Sequence, residues 1–159
     1  MQTIQILALG KCKEGYLREA CREYEKRLSR YCRLQITELE PAALSQNPSE
    51  KEIAAALEKE GAELLKRAKG YCIAMCIEGK QLTSPGLAEK LEQAAQGGDS
   101  GAVTFLIGSS YGLAPAAKQR AQLRLSMSAM TFPHQLARVM LLEQIYRGYQ
   151  ILAGTKYHK

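Results

Sequence analysis

Two stretches, residues 71–77 (YCIAMCI) and 102–107 (AVTFLI), are apolar at nearly every position, and each runs into a glycine-containing segment. Runs of this length bounded by turn residues read as strands, and a strand with no polar face has to be covered on both sides. That is the position of an inner strand in a parallel sheet with helices above and below, so the rest of the chain must supply the helices. It does. Residues 3–9 (TIQILAL) form a third apolar run closed by Gly10, followed by a helical stripe of Leu17, Ala20, Cys21, Tyr24, Leu28 and Tyr31. Residues 33–39 read as a strand and 41–48 as a loop, and Ser49 with Glu52 makes a capping box for a helix carrying Ile53, Ala56, Leu57, Leu64, Leu65 and Ala68. Glu78, Gly79 and Lys80 are expected to close the 71–77 strand. Ser84 and Pro85 open another helix, stopped by Gly97 and Gly98. Pro115 starts a short helix through Ala121, and 123–127 is the last strand. Strands alternating with helices give an α/β fold with a mainly parallel sheet, expected as one domain over 1–159.

The final helix carries more apolar surface than one sheet can cover. Pro133 suits its first helical position, behind a cap at Thr131 or Phe132. Leu136, Val139, Leu142, Tyr146 and Tyr149 make one row, and Ala137, Met140, Leu141, Ile145 and Ile151 make another. One face can meet the protein's own sheet and the other a second subunit.

The formal charge of +6, from 22 basic and 16 acidic side chains, has the sign that suits a phosphate-rich partner. No apolar run is long enough for a membrane span and residues 1–10 lack a basic signal-peptide start, so a soluble cytoplasmic protein is expected. Cys72 and Cys76 on one strand would sit about 13 Å apart at ~3.3 Å per residue, too far for a disulfide or one tetrahedral metal. The five cysteines read as reduced, buried small hydrophobes, and with only His134 and His158 to add, no metal site is expected.

Ligands of open parallel sheets bind beyond the carboxyl ends of the strands. Here those loops follow Ile77, Ile107 and Met127. Gly10 and Gly15 bracket KCKE without a following Lys-Ser/Thr, so there is no P-loop; no G-x-G-x-x-G follows a strand and no serine sits in a G-x-S-x-G elbow. The third loop interleaves Ser126, Ser128 and Thr131 with Met127, Met130 and Phe132, a lining suited to a flat heterocycle and a thioether.

Four segments, 105–113 (FLIGSSYGL), 125–138 (LSMSAMTFPHQLAR), 143–147 (EQIYR) and 157–159 (YHK), make the chain resemble, over its whole length, the RlmH-type (YbeA-type) 23S rRNA pseudouridine N3-methyltransferases of the SPOUT class. The resemblance implies a SPOUT methyltransferase fold with a C-terminal trefoil knot, S-adenosylmethionine held in the knot, and a homodimer whose partner completes the site on 23S rRNA within the large subunit or whole ribosome. Matched to the family's motifs, cofactor contacts fall on Met75, Gly108, Met127, Ser128, Ala129, Met130, Thr131 and Phe132. Ser109 stands where relatives often have a second glycine. Transfer from a sulfonium to nitrogen needs alignment and loss of the acceptor's proton rather than a metal or an enzyme nucleophile. Arg147, Tyr157 and His158 are the catalytic candidates, with Tyr157 stacking on the base, His158 assisting proton loss, and Lys156 and Lys159 on phosphates. His134 is read as a hydrogen bonder at the helix start. Two other readings share the charge and dimer: a non-catalytic basic module clamping ribosomal RNA during assembly, and a methyltransferase of the same class acting on tRNA or a small molecule. Neither DNA nor a membrane is expected as a partner.

Overall fold

The computed structural model describes residues 1–159, the side chain of Ser100 excepted. Strands β1 (Thr3–Leu9), β2 (Arg33–Leu39), β3 (Tyr71–Gln81), β4 (Val103–Ile107) and β5 (Leu123–Ser126) form a five-stranded, wholly parallel sheet in the order β2-β1-β4-β3-β5. Five helices connect them: α1 (Gly15–Leu28), α2 (Glu50–Arg67), α3 (Ser84–Ala95), α4 (Pro115–Arg120) and α5 (His134–Leu152). α5 packs against both α1 and α3 on one face of the sheet, and α2 packs with α4 on the other.

The apolar strands serve both layers. Ile4, Ile6, Ile73, Val103, Phe105 and Leu125 lie under α1, α3 and α5, while Leu7, Leu9, Ala74 and Leu106 lie under α2 and α4. Period-two alternation is therefore present even where the sequence shows no polar face, because both faces of β4 are buried. The capping box of α2 forms as expected: the Glu52 N–H donates to the Ser49 hydroxyl (3.2 Å) and the Ser49 N–H to the Glu52 carboxylate (3.4 Å). All five cysteines are free, four of them buried.

Three expectations need correction. Strand β3 does not stop at Glu78; it continues to Gln81 past an irregularity between Met75 and Lys80 and regains β5 at Leu125 and Ser126. Gly79 permits this, since a Cβ there would lie 2.7 Å from the Arg124 carbonyl carbon. Pro133 is the N-cap of α5 rather than its first helical residue, with ψ of 137°, and no side chain caps that end. The inward stripe of α5 is Arg138, Leu141, Leu142, Ile145 and Tyr149, which leaves Val139 and Met140 half-buried and Leu136 exposed.

β5 is an edge strand, yet α5 begins on the far side of the sheet. The Gln135 side-chain oxygen accepts the N–H groups of Lys13 (2.9 Å) and Glu14 (3.1 Å), and Arg138 donates to the Gly10 carbonyl (3.1 Å) and to Glu38 at the end of β2. Residues 127–133 therefore pass the carboxyl ends of β3 and β4. The path is consistent with the C-terminal trefoil knot that the resemblance implies.

A methyl group at Gly79 would push β5 away from β3. Gly79→Ala is expected to lower stability by about 1–3 kcal/mol, the usual cost of overpacking, measured as a shift in the urea midpoint at unchanged m-value; an unchanged midpoint contradicts the close approach.

Candidate active site

Where the loops after β3, β4 and β5 converge, they enclose a cavity of about 520 Å³. Of the sequence-derived cofactor candidates, Met75, Gly108, Met127, Ser128, Met130, Thr131 and Phe132 line it; Ala129, exposed at the loop's tip, does not. Ile77, Tyr111, Lys118, His134 and Ala137 are among the other residues of the wall. Methionines and aliphatic chains thus face serine and threonine hydroxyls across a ligand-sized space. The loop 108–112 is turned tightly on itself: Ser109 and Gly112 bridge, and a Cβ on Gly108 would lie 2.3 Å from the Gly112 carbonyl oxygen.

Hydrogen bonds hold these loops in place. The Ser126 hydroxyl donates to the Ser128 carbonyl (3.0 Å), and the Met130 N–H donates to the Ser128 hydroxyl (3.0 Å). Among the described residues no protein acceptor meets the backbone N–H groups of Ser128, Ala129, Thr131 or Phe132, so this turn keeps donors for a bound molecule or water. His134 Nδ1 lies 3.3 Å from the Gly108 carbonyl, tying the start of α5 to the loop after β4, as read for a residue at a helix start. Lys118 pairs with Glu78 at the cavity's edge, and that ammonium holds the Glu78 carboxyl below the usual carboxylate range.

Sequence reasoning missed Glu60. It lies on the helix α2 but is 6 % exposed, accepting from the Ser109 hydroxyl (2.9 Å) through one oxygen and from the Ala42 N–H (2.9 Å) through the other. The Ser109 hydroxyl is thereby drawn onto α2. Only the serine at a common glycine position hinted at such a partner.

The three catalytic candidates are brought together, but away from this cavity. Arg147 makes a forked contact with Glu143 (2.7 and 3.0 Å) and donates to Nδ1 of His158 (3.3 Å), a bond that requires that nitrogen to be unprotonated. The Tyr157 hydroxyl donates to Glu143 (3.2 Å), its ring lies under the Arg147 guanidinium at 4.8 Å, and its edge meets Tyr146 at 5.0 Å. The tail is folded against α5, not frayed. From Ala137, which lines the cavity, to Arg147 the helix rises roughly 15 Å at 1.5 Å per residue.

The model of the family described as "Predicted SPOUT methyltransferase" matches residues 1–158. The chain belongs to the SPOUT methyltransferase family. It is 48% identical to the ribosomal RNA large subunit methyltransferase H of Clostridium beijerinckii over 98% of this chain and 99% of that one. It is 49% identical to the protein of that name from Bifidobacterium adolescentis, with the same coverage. A probable methylase family protein from Haemophilus influenzae shares the fold at a TM-score of 0.55 and 14% identity, covering 99% of this chain and 70% of that one. The parallel sheet flanked by helices is thus the SPOUT architecture, and the protein is a methyltransferase of that family.

In this SPOUT enzyme, burial and then the Glu143 carboxylate push the Tyr157 phenol above its ordinary value. Its absorbance titration, taken as wild type minus Tyr157→Phe, is expected to have a midpoint above that of free tyrosine, and Glu143→Gln should move it down. A midpoint at the free value in both proteins contradicts the tail contact.

Proposed function

We propose that this chain, acting as one unit over 1–159 in the cytoplasm, is a homodimeric S-adenosylmethionine-dependent enzyme that methylates N3 of a pseudouridine in 23S rRNA, within the large subunit or whole ribosome. The relatives named above as ribosomal RNA large subunit methyltransferases support the substrate class. The observation that carries the site is the cavity where loops after three strands meet around a turn with spare backbone N–H donors. Met127, Ser128, Met130, Thr131 and Phe132, with Met75 and Gly108, would hold the cofactor; Ala129 would contribute through its backbone. When bound, S-adenosylmethionine supplies a methyl group on a positively charged sulfur, open to attack by nitrogen. The protein's own work is then to align the acceptor, keep water out and take the imide proton.

Homodimerisation is supported by what α5 leaves uncovered. Leu136, Val139, Met140, Glu143, Gln144 and Arg147 form a half-buried to exposed row at three- and four-residue steps. A twofold axis near residue 142 would set Ala137 of one chain beside Arg147 of the other, an isologous contact. Each cavity would then receive the Arg147–Tyr157–His158 cluster across the seam. In that arrangement Tyr157 stacks on the target base. His158 accepts the N3 proton once its ring leaves Arg147, Arg147 steadies the resulting anion, and Lys156 and Lys159 reach phosphates. Glu143 neutralises Arg147 in the isolated chain, so its cationic role requires that pair to loosen.

Calorimetry with S-adenosylmethionine is expected to give one site per chain, and nucleoside mapping of ribosomes from cells lacking the protein should show one unmethylated pseudouridine that the purified enzyme restores. No heat at millimolar ligand would instead favour a non-catalytic RNA clamp. Deleting residues 157–159 should abolish transfer while the binding heat stays within about twofold; undiminished turnover refutes the role of the tail.

A further inference from the structure

Between α1 and the edge strand β2 lies a groove of about 710 Å³, separate from the cavity and within the size range of small-ligand sites. Its floor is apolar: buried Cys12, Cys21 and Cys32 with Leu34 and Ile36, which are half-buried because β2 has no neighbour on that side. Burial pushes the Cys21 and Cys32 thiols up to about 11, so these two stay uncharged at neutral pH. The rim is basic. Arg18 and Arg22, one turn apart on α1, face Arg33 at the start of β2.

Two acids also line the groove, but they do not cancel this charge. Glu38 is taken by Arg138 and by the Cys12 N–H (2.8 Å), which leaves Glu25 against three arginines. Among the described residues none of the Arg18, Arg22 and Arg33 guanidinium groups has a hydrogen-bond or ion-pair partner, although three other arginines, Arg27, Arg67 and Arg147, are paired on their own helices. An apolar floor beside converging, unpaired guanidinium groups complements a molecule with a flat heterocycle and an anionic backbone. Consecutive residues of α5 line the two spaces, Ala137 the cavity and Arg138 the groove.

We propose that the α1–β2 groove is a subsite for a nucleotide of the RNA substrate outside the methyl-transfer centre, with the base on the Leu34–Ile36–cysteine floor and phosphates on Arg18, Arg22 and Arg33. The proposal rests on the rRNA reading above and adds where a part of the strand that is not methylated is held. These arginines act only on binding and are not catalytic. All three side chains are exposed, so their removal leaves the core intact.

The test uses the full-length protein and the triple variant Arg18→Ala/Arg22→Ala/Arg33→Ala, with affinity for a 23S rRNA fragment measured against salt. The S-adenosylmethionine binding heat is expected to be unchanged. RNA affinity should fall at least tenfold, and the slope of log K against log salt should drop by about two, at ~0.7 per single-strand phosphate contact. Lys66→Ala/Arg67→Ala on the opposite layer should leave both unchanged; an equal loss there makes the effect one of net charge and overturns the subsite. An unchanged slope in the triple variant also overturns it, and the methyltransferase reading then survives. A wild-type protein that binds the cofactor but neither the rRNA fragment nor the large subunit or whole ribosome removes the substrate reading and the subsite together. Saturable binding of adenosine monophosphate that the triple variant loses, with RNA binding intact, would reassign the groove to a free nucleotide. Unchanged binding to naked rRNA with lost methylation of whole ribosomes would reassign it to a ribosomal protein. Either result overturns the RNA assignment.

Discussion

Arg138 is the tie on which the functional end of the molecule depends. The residue is 6 % exposed, and its guanidinium joins the N-terminal part of α5 to the Glu38 carboxylate of β2 and to the Gly10 carbonyl after β1. With Gln135 on the Lys13 and Glu14 amides and His134 on the Gly108 carbonyl, it obliges the chain leaving the edge strand β5 to cross the ends of β3 and β4 before becoming helical. The crossing creates the cavity. Glu38 feels the tie as well: burial alone would raise its carboxyl, but the contacts with Arg138 and the Cys12 amide hold it below its ordinary value. Arg138 is the buried partner and Glu38 the exposed one, so losing Glu38 would leave a buried guanidinium short of a counter-charge, whereas losing Arg138 would leave a carboxylate that water can reach.

The second constraint is the length of α5. A straight helix cannot bring Arg147 back to the cavity that Ala137 lines, and the tail packs onto the same helix instead, through Tyr146, Glu143 and Arg147. In one copy Arg147, Tyr157 and His158 do not line the cavity where the loops after β3, β4 and β5 meet, although their partner Glu143 lines a second pocket with Met75, Ser126 and Met127. In the proposed homodimer, a twofold axis at the uncovered row on α5 would convert a separation along one chain into proximity between two. On this account the apolar surplus of α5 and the distance between its two functional ends have one explanation.

Much of the fold was legible because it depends on burial patterns that the residues carry openly. The apolar runs of β3 and β4, the capping box at Ser49 and the glycine at the end of β1 each predict their element from local chemistry. Legibility failed where neighbours decide. Gly79 looked like a turn because glycine usually is one; it marks the close approach of β5, a contact visible only in three dimensions. The rows of α5 were mixed for a similar reason: a helix apolar on several faces does not declare which face the sheet takes, and the choice fell on the side that includes the charged Arg138. The crossing of 127–133 left no trace in periodicity and entered through resemblance alone. For the site, the part of the lining that runs from Ser126 to Phe132 could be read from the loop's alternation of methionine and hydroxyl residues, while Met75 and Gly108 entered through the resemblance. Glu60 could not, since a glutamate in a helical sequence is ordinarily solvated and its burial depends on the arrival of Ser109 from β4.

The account is tested most directly by a mixed dimer. One chain would carry Thr131→Trp, expected to fill the cavity from an exposed position, and the other would lack residues 157–159; each alone is expected to be inactive. Co-expressed with different tags and purified as a heterodimer, the pair retains one complete site of two if the tail acts across the twofold axis, so activity should return to about half that of the wild type. A mixed dimer as inactive as its parents would show that each tail serves its own chain, and would contradict the shared site.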